Sequence, residues 1–254
     1  MSRGQLDNRR ILVTGAAGGQ GTAVARKFAV EGASLALSDL ATEALQSLTN
    51  ELLAAGISAT AVPADVRDEG QIIAAVEDAV SFLGGLDVLY NNAGVYWPDR
   101  DAPVDCLDRE VFDDILAINT TSVFLFAKHA MPNLLASPDG VLLNVASVAA
   151  YAGDPECHAY AASKGALIAL TRSIAQRYGP SGLRANLICP GFIATPMVDW
   201  LLRDEVATEH VAAATALRRV GQPEEVAAVA TFLASTASSF VTSTEIAVHG
   251  GLVK

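Results

Sequence analysis

Short blocks of apolar, often β-branched residues alternate along the chain with longer segments of helical periodicity. The blocks predict strands at 11–14, 34–38, 58–63, 86–91, 141–146, 184–189 and 245–248. Between them, apolar positions recurring every three or four residues predict helices near 20–31, 42–55, 69–82, 109–136, 157–178 and 223–235. The strands are apolar in blocks more than in alternation, as expected of a parallel sheet covered on both faces. Strand and helix in regular alternation imply right-handed crossovers and an α/β, doubly wound sheet. Two stretches break the rhythm, 95–108 and 192–221, and both are expected to be irregular. Each follows the carboxyl end of a strand, where open α/β sheets bind ligands, so 192–221 is read as a substrate loop.

Composition narrows the function. The 254 residues fit one domain, 1–254, without repeat, low-complexity tract or dividing linker. Apolar residues make up 51% of the chain and charged ones 18%, which is ample for a core. A net charge of −11 opposes nucleic-acid binding through phosphate neutralisation. Arg3, Arg9 and Arg10 precede an apolar run too short for a signal peptide, and no stretch approaches the ~20 apolar residues of a membrane span. Cys106, Cys157 and Cys189 form no CxxC pair, so free thiols in a cytoplasmic protein are expected. The four histidines are dispersed, and no metal centre is expected.

The first strand runs into Gly15-Ala16-Ala17-Gly18-Gly19-Gln20-Gly21, a GxxxGxG turn ahead of a helix face formed by Val24, Ala25, Phe28 and Ala29. Such a turn lets backbone N–H groups and a helix N-terminus approach a pyrophosphate. A glycine-rich connection without ligand has the same pattern. The second strand ends at Ser38-Asp39, where a carboxylate would accept hydrogen bonds from an adenosine ribose and repel a 2′-phosphate. Leu40 follows it, and no Arg or Lys adjoins, so NAD is preferred over NADP. Asp39 could instead cap the helix that begins near Thr42.

Tyr160-Ala-Ala-Ser-Lys164 lies in a helical stretch, and residues at i and i+4 share a face. A phenol ionises near ~10, so it works as a base only if a neighbouring cation or the positive nicotinamide lowers that value. Ser147 closes the fifth strand, where a hydroxyl can hold a substrate oxygen. Asn119 follows the apolar run Ile115–Ile118 inside a long helix although it is a poor helix former. Each has an ordinary reading too: a surface pair, a helix cap and a packed amide.

Taken together, the TGAAGGQG turn, Asn91-Asn92-Ala93-Gly94, Ser147, YAASK and Pro190-Gly191 resemble, in order and spacing, the short-chain dehydrogenase/reductase family from about Ile11 to Gly251. The resemblance implies a Rossmann-like, seven-stranded parallel sheet, assembled as a tetramer or dimer, and hydride exchange between NAD and a secondary alcohol or ketone. It gives Tyr160 the proton exchange, Ser147 the substrate oxygen, Lys164 the nicotinamide ribose and Asn119 a relay water. Gly15, Gly19, Gln20, Gly21, Asp39 and Leu40 fall to the cofactor, as do Asp65 and Val66 at the adenine. Asn92, Ala93 and Gly94 fall to the adenosine side, and Pro190, Gly191, Ile193 and Thr195 to the carboxamide. Gln20, Ala146, Ser243 and His249 depart from the family pattern, the last two where Gly and Asp are usual.

Tyr96, Trp97, Cys157, His158, Phe192, Met197 and Trp200 are pocket candidates suited to an apolar or cyclic substrate. The segment 159–174 is apolar on almost every side and rich in Ala and Gly, so it is expected to pack against a second copy of the chain. Two other readings are a 3-oxoacyl-thioester reductase, against which Asp39 counts through its NAD preference, and a non-catalytic NAD-binding scaffold. A scaffold has no need of Asn119, Ser147, Tyr160 and Lys164 together.

Overall fold

Every strand that the apolar blocks predict is present, and all seven run parallel in one sheet. The computed structural model describes residues 4–252, so the Arg3 of the N-terminal reading lies outside them. In chain order the elements are β1 (Arg10–Thr14), α1 (Gly19–Val30), β2 (Ser34–Ser38), α2 (Thr42–Ala54), β3 (Ala59–Ala61), α3 (Glu69–Leu83) and β4 (Val88–Asn91). There follow α4 (Arg109–Leu116), α5 (Ser122–Ala136), β5 (Val141–Val145), α6 (Ala149–Ala152), α7 (His158–Tyr178) and β6 (Arg184–Pro190). The last are α8 (Asp199–Leu202), α9 (Glu205–Ala214), α10 (Pro223–Ala234) and β7 (Glu245–Val248).

The sheet order is β3-β2-β1-β4-β5-β6-β7. The chain winds outward from β1 in both directions, which places a switch point between the carboxyl ends of β1 and β4. Two buried layers flank the sheet. On one side Val24, Phe28 and Val226 bring α1 and α10 onto Ile11, Val13 and Tyr90, with the rings of Phe28 and Tyr90 edge to face at 5.9 Å. On the other, Ile72, Val76, Phe126, Ala130 and Ile174 of α3, α5 and α7 cover Leu12, Leu89 and Leu142. Successive residues of β1 thus serve opposite layers, which is why its apolar block has no polar gap.

Two expectations are corrected. The helix predicted over 109–136 is continuous but holds a π-helical segment, Ala117–Thr121, with Asn119 at its centre. The asparagine amide bonds to the Val95 backbone, outside its own helix, and the extra residue in the turn lets it face that way. The stretch 192–221 is not irregular throughout, since α8 and α9 form within it. Asp204 caps α9, accepting from the Val206 and Ala207 N–H groups at 3.0 Å each. One face of α7 is left uncovered by its own chain. Ala162, Ala166, Ala169, Ser173 and Gln176 form an exposed face of mostly small residues.

Candidate active site

Two cavities meet at the carboxyl ends of the central strands. The first, about 560 Å³, runs over the β1–α1 turn at the switch point. Gly15, Gly19, Gln20, Asp39, Leu40, Asp65, Val66, Asn92, Ala93 and Gly94 all line it, as their assignment to a nucleotide requires. Gly21 does not: a Cβ there would lie 2.0 Å from the Gly15 carbonyl oxygen, so this glycine permits the tight turn itself. No side chain caps α1, whose first turn opens on the cavity, so its N–H groups suit a pyrophosphate. The Gln20 Oε1 in the same wall is buried with no partner. The cradle therefore fits a dinucleotide.

Asp39 is not the helix cap of its alternative reading. Its two oxygens accept from the Ala17 N–H and the Ala41 N–H, both at 2.9 Å, which ties the glycine turn to the end of β2. Asn92 braces the turn from the other strand, donating to the Thr14 and Gly15 carbonyls at 3.2 and 3.0 Å.

The second cavity, about 620 Å³, joins the first at Gln20, Ala146, Tyr160, Thr195 and Met197. Ser147, Tyr160, Pro190, Gly191 and Ile193 line it, with Tyr96, Cys157, Phe192 and Trp200 among the remaining walls. Ser147, buried at the end of β5, faces the Tyr160 phenol closely enough to favour its ionised form, and accepts from the Ala149 N–H at 3.2 Å. It thus both faces the phenol and opens α6. Lys164 is buried with its Nζ 5.9 Å from the Tyr160 ring centre, and it donates to the Val145 carbonyl at 3.0 Å. Fully buried Asn119 donates to the Val95 carbonyl at 3.0 Å and accepts from the Val95 N–H at 2.8 Å. A Cβ on Gly94 would lie 3.1 Å from the Asn119 Oδ1 and 3.2 Å from the Lys164 Nζ, so the missing side chain leaves a gap between them.

The electrostatics differ from the sequence expectation. Burial raises the Tyr160 phenol to about 12, against which the Ser147 hydroxyl acts, while the charges of Asp154 and Cys157 raise it further. The Lys164 ammonium is itself lowered to about 8 by burial, with Cys189 acting more weakly in the opposite direction. A phenol and an amine buried side by side are both pushed toward neutrality, since desolvation opposes each charged form.

The sequence matches the family profile described as Enoyl-(Acyl carrier protein) reductase over residues 15–253. It is 40% identical over 243 residues to the cis-4-hydroxycyclohexanecarboxylate dehydrogenase of Sinomonas cyclohexanicum, covering 96% of each chain. It is 39% identical over 251 residues to the 3-oxoacyl-(acyl-carrier-protein) reductase of Thermotoga maritima, covering 98% of this chain and 99% of that one. Among solved structures, the gluconate 5-dehydrogenase of Burkholderia cenocepacia, determined with NADP and tartrate, superposes with a TM-score of 0.92 at 32% identity, over 98% of this chain and 97% of the other. The chain belongs to the short-chain dehydrogenase/reductase family. It is an oxidoreductase for CH–OH substrates and binds a nicotinamide cofactor.

For a member of this family, three placements were not legible from sequence. Asp101, buried in the 95–108 stretch, accepts from the Ala159 N–H at 3.1 Å and the Tyr160 N–H at 2.8 Å. It caps α7 from a distant loop, where the helix's own preceding residue, Cys157, offers no side-chain cap. Arg67 lines the nucleotide cavity but is paired with Asp65 at 2.8 Å. His158 lines neither cavity, because its Nδ1 accepts from the Val104 N–H at 2.9 Å. No sequence spacing signals Asp101, since its partners are backbone groups. Among the described residues no helix is long and apolar enough to cross a membrane, and no group of His, Cys, Asp or Glu is arranged to hold a metal.

Proposed function

We propose that the protein is an NAD-dependent dehydrogenase of secondary alcohols, reducing the matching ketone in reverse, with an apolar or cyclic substrate in the 620 Å³ cavity. The observation that carries this reading is Tyr160 standing where the two cavities join, with Ser147 facing its phenol and Lys164 buried behind it. The nicotinamide, when bound, takes or gives the hydride. Ser147 holds the substrate oxygen, and Tyr160 takes its proton on oxidation or returns one on reduction. Lys164 holds the nicotinamide ribose. Lys164 takes the proton on from the phenol, and Asn119, beside it at Gly94, anchors the water that relays it onward. A phenol near 12 is a weak donor and a costly base, so the positive charges of the ring and of Lys164 must lower it in the working complex.

Gly15, Gly19, Gln20 and the first turn of α1 take the pyrophosphate, Asp39 and Leu40 the adenosine ribose, and Asp65 and Val66 the adenine. Gly21 shapes that turn. Asn92, Ala93 and Gly94 line the floor, and Pro190, Gly191, Ile193 and Thr195 meet the carboxamide. NAD over NADP is favoured by the Asp39 carboxylate and by Arg67 being held by Asp65. The relative whose name denotes a cyclic secondary alcohol bearing a carboxylate supports the ring and the hydroxyl of the substrate class, not its charge. A 3-oxoacyl-thioester reductase is the second reading, favoured by the Thermotoga relative. We further infer one domain over 1–254, a cytoplasmic location, and a homo-oligomer, dimer or tetramer, built on the exposed face of α7. Light scattering that finds only the monomer mass would remove the last.

The test is NADH formation from a panel of secondary alcohols. Tyr160→Phe should lower kcat by at least ~10³-fold in a folded protein that still binds NADH. Unchanged turnover in that variant would refute the mechanism. Rates higher with 3-oxoacyl thioesters and NADPH would favour the second reading.

A further inference from the structure

The substrate cavity is charged on one side only. Tyr96, Phe192, Met197 and Trp200 supply its apolar wall, while Asp154 and Glu156 supply carboxylates. Among the described residues no Lys, Arg or His lines it. Asp154 is half-buried and fixed, its Oδ1 accepting from the Glu156 and Cys157 N–H groups at 3.1 Å each, in the turn that leads into α7. Its field reaches the reacting groups: it raises the Tyr96, Cys157 and Tyr160 protons alike, behind burial in each case. A substrate carboxylate, phosphate or sulfonate entering here loses its hydration, finds no cationic side chain in the described wall and stands against carboxylates. An uncharged group loses far less, and an ammonium gains a partner.

We infer that the pocket selects uncharged or amine-bearing secondary alcohols and rejects anionic ones, with Asp154 as the residue that sets this preference. The inference rests on the cavity being the substrate site, as proposed above. It separates this chain from any relative whose substrate carries an acid group.

The experiment uses a matched trio on the full chain with bound NAD+: 4-hydroxycyclohexanecarboxylate, its carboxamide and 4-(aminomethyl)cyclohexanol. Binding is followed by calorimetry and turnover by NADH absorbance. The carboxylate should bind at least tenfold more weakly than the carboxamide, and the amine at least as tightly. Asp154→Asn keeps the acceptor for the two N–H groups and should narrow the carboxylate-to-carboxamide gap at least threefold. Asp154→Lys should reverse it, and Glu156→Gln, at an exposed rim position, should act more weakly. Equal binding of carboxylate and carboxamide, a gap unmoved in Asp154→Asn, or no binding of all three would each overturn the inference. Binding in the expected order without NADH formation would leave it standing and refute the dehydrogenase reading instead.

Discussion

Removing the Asp101 carboxylate should loosen the helix that carries the phenol. In α7 the first-turn N–H groups of Ala159 and Tyr160 have one buried acceptor, 6% exposed, at 3.1 and 2.8 Å. Hydrogen bonds to a charged partner contribute about 1.5–3 kcal/mol each when buried, and loss of a helix cap costs about 0.5–2 kcal/mol. These overlap, because the cap is the same pair of bonds. Asp101→Ala should therefore cost about 2–3 kcal/mol of stability. Asp101→Asn keeps one oxygen and should lose about half of that, whereas Asp105→Ala, exposed in the same stretch, should stay within about 0.5 kcal/mol. Fraying also displaces Tyr160 from Ser147, so kcat should fall about tenfold or more while KM for NAD changes little. Urea denaturation with NADH kinetics on the same samples checks both. A stability loss below about 0.5 kcal/mol in Asp101→Ala, with kcat unchanged, would show that the cap is not what holds the phenol.

Lys164 ionises near 8 in the folded chain against 10.5 for the free side chain, because of burial. Between these values the unfolded chain binds more protons, so this residue makes stability rise with pH, and below about 8 the full penalty of its buried charge applies. Denaturation midpoints at pH 7.5 and 9.5 should differ less in Lys164→Met than in the unaltered protein, and equal differences would contradict the assignment. Asp39→Ser keeps one acceptor for the Ala17 or Ala41 N–H and removes the negative charge. The ratio of kcat/KM for NADP to that for NAD should rise at least tenfold, about 1.4 kcal/mol; an unmoved ratio would free Asp39 of any part in cofactor choice. Ser243 sits at φ 60°, the left-handed region, where the family pattern has glycine. Ser243→Gly should stabilise the protein by about 0.5–1 kcal/mol in thermal melts, and destabilisation would show that the serine side chain compensates for its backbone.

Much of the fold was legible because its signals are local. Apolar blocks of four to six residues marked strands β1 to β7 to within a few positions, and Gly-rich and Pro-containing segments marked the turns. The residues Gly15, Asp39, Ser147, Tyr160 and Lys164 were legible for a similar reason, since each stands at a strand end or on one helix face. The ends of β3 were not: Val62 still hydrogen-bonds β2, but Pro63 has no N–H to continue the ladder. Nor were α8 and α9, whose short amphipathic pattern lies inside a stretch that composition marked as loop.

The sequence by itself determined the seven strands, the long helices between them outside 192–221, and which chemistry-bearing side chains end up at the sheet's carboxyl edge. Periodicity and the stereochemistry of glycine act within a few residues of chain. Only the tertiary structure decided what surrounds those side chains. Asp101 reaches α7 across more than fifty intervening residues, Asn119 needs a π-turn to face Val95, and Asp154 supplies the only kind of charge in the described substrate wall. Burial and field depend on everything packed within a few ångströms, and packing of that kind joins distant segments that no spacing along the chain relates.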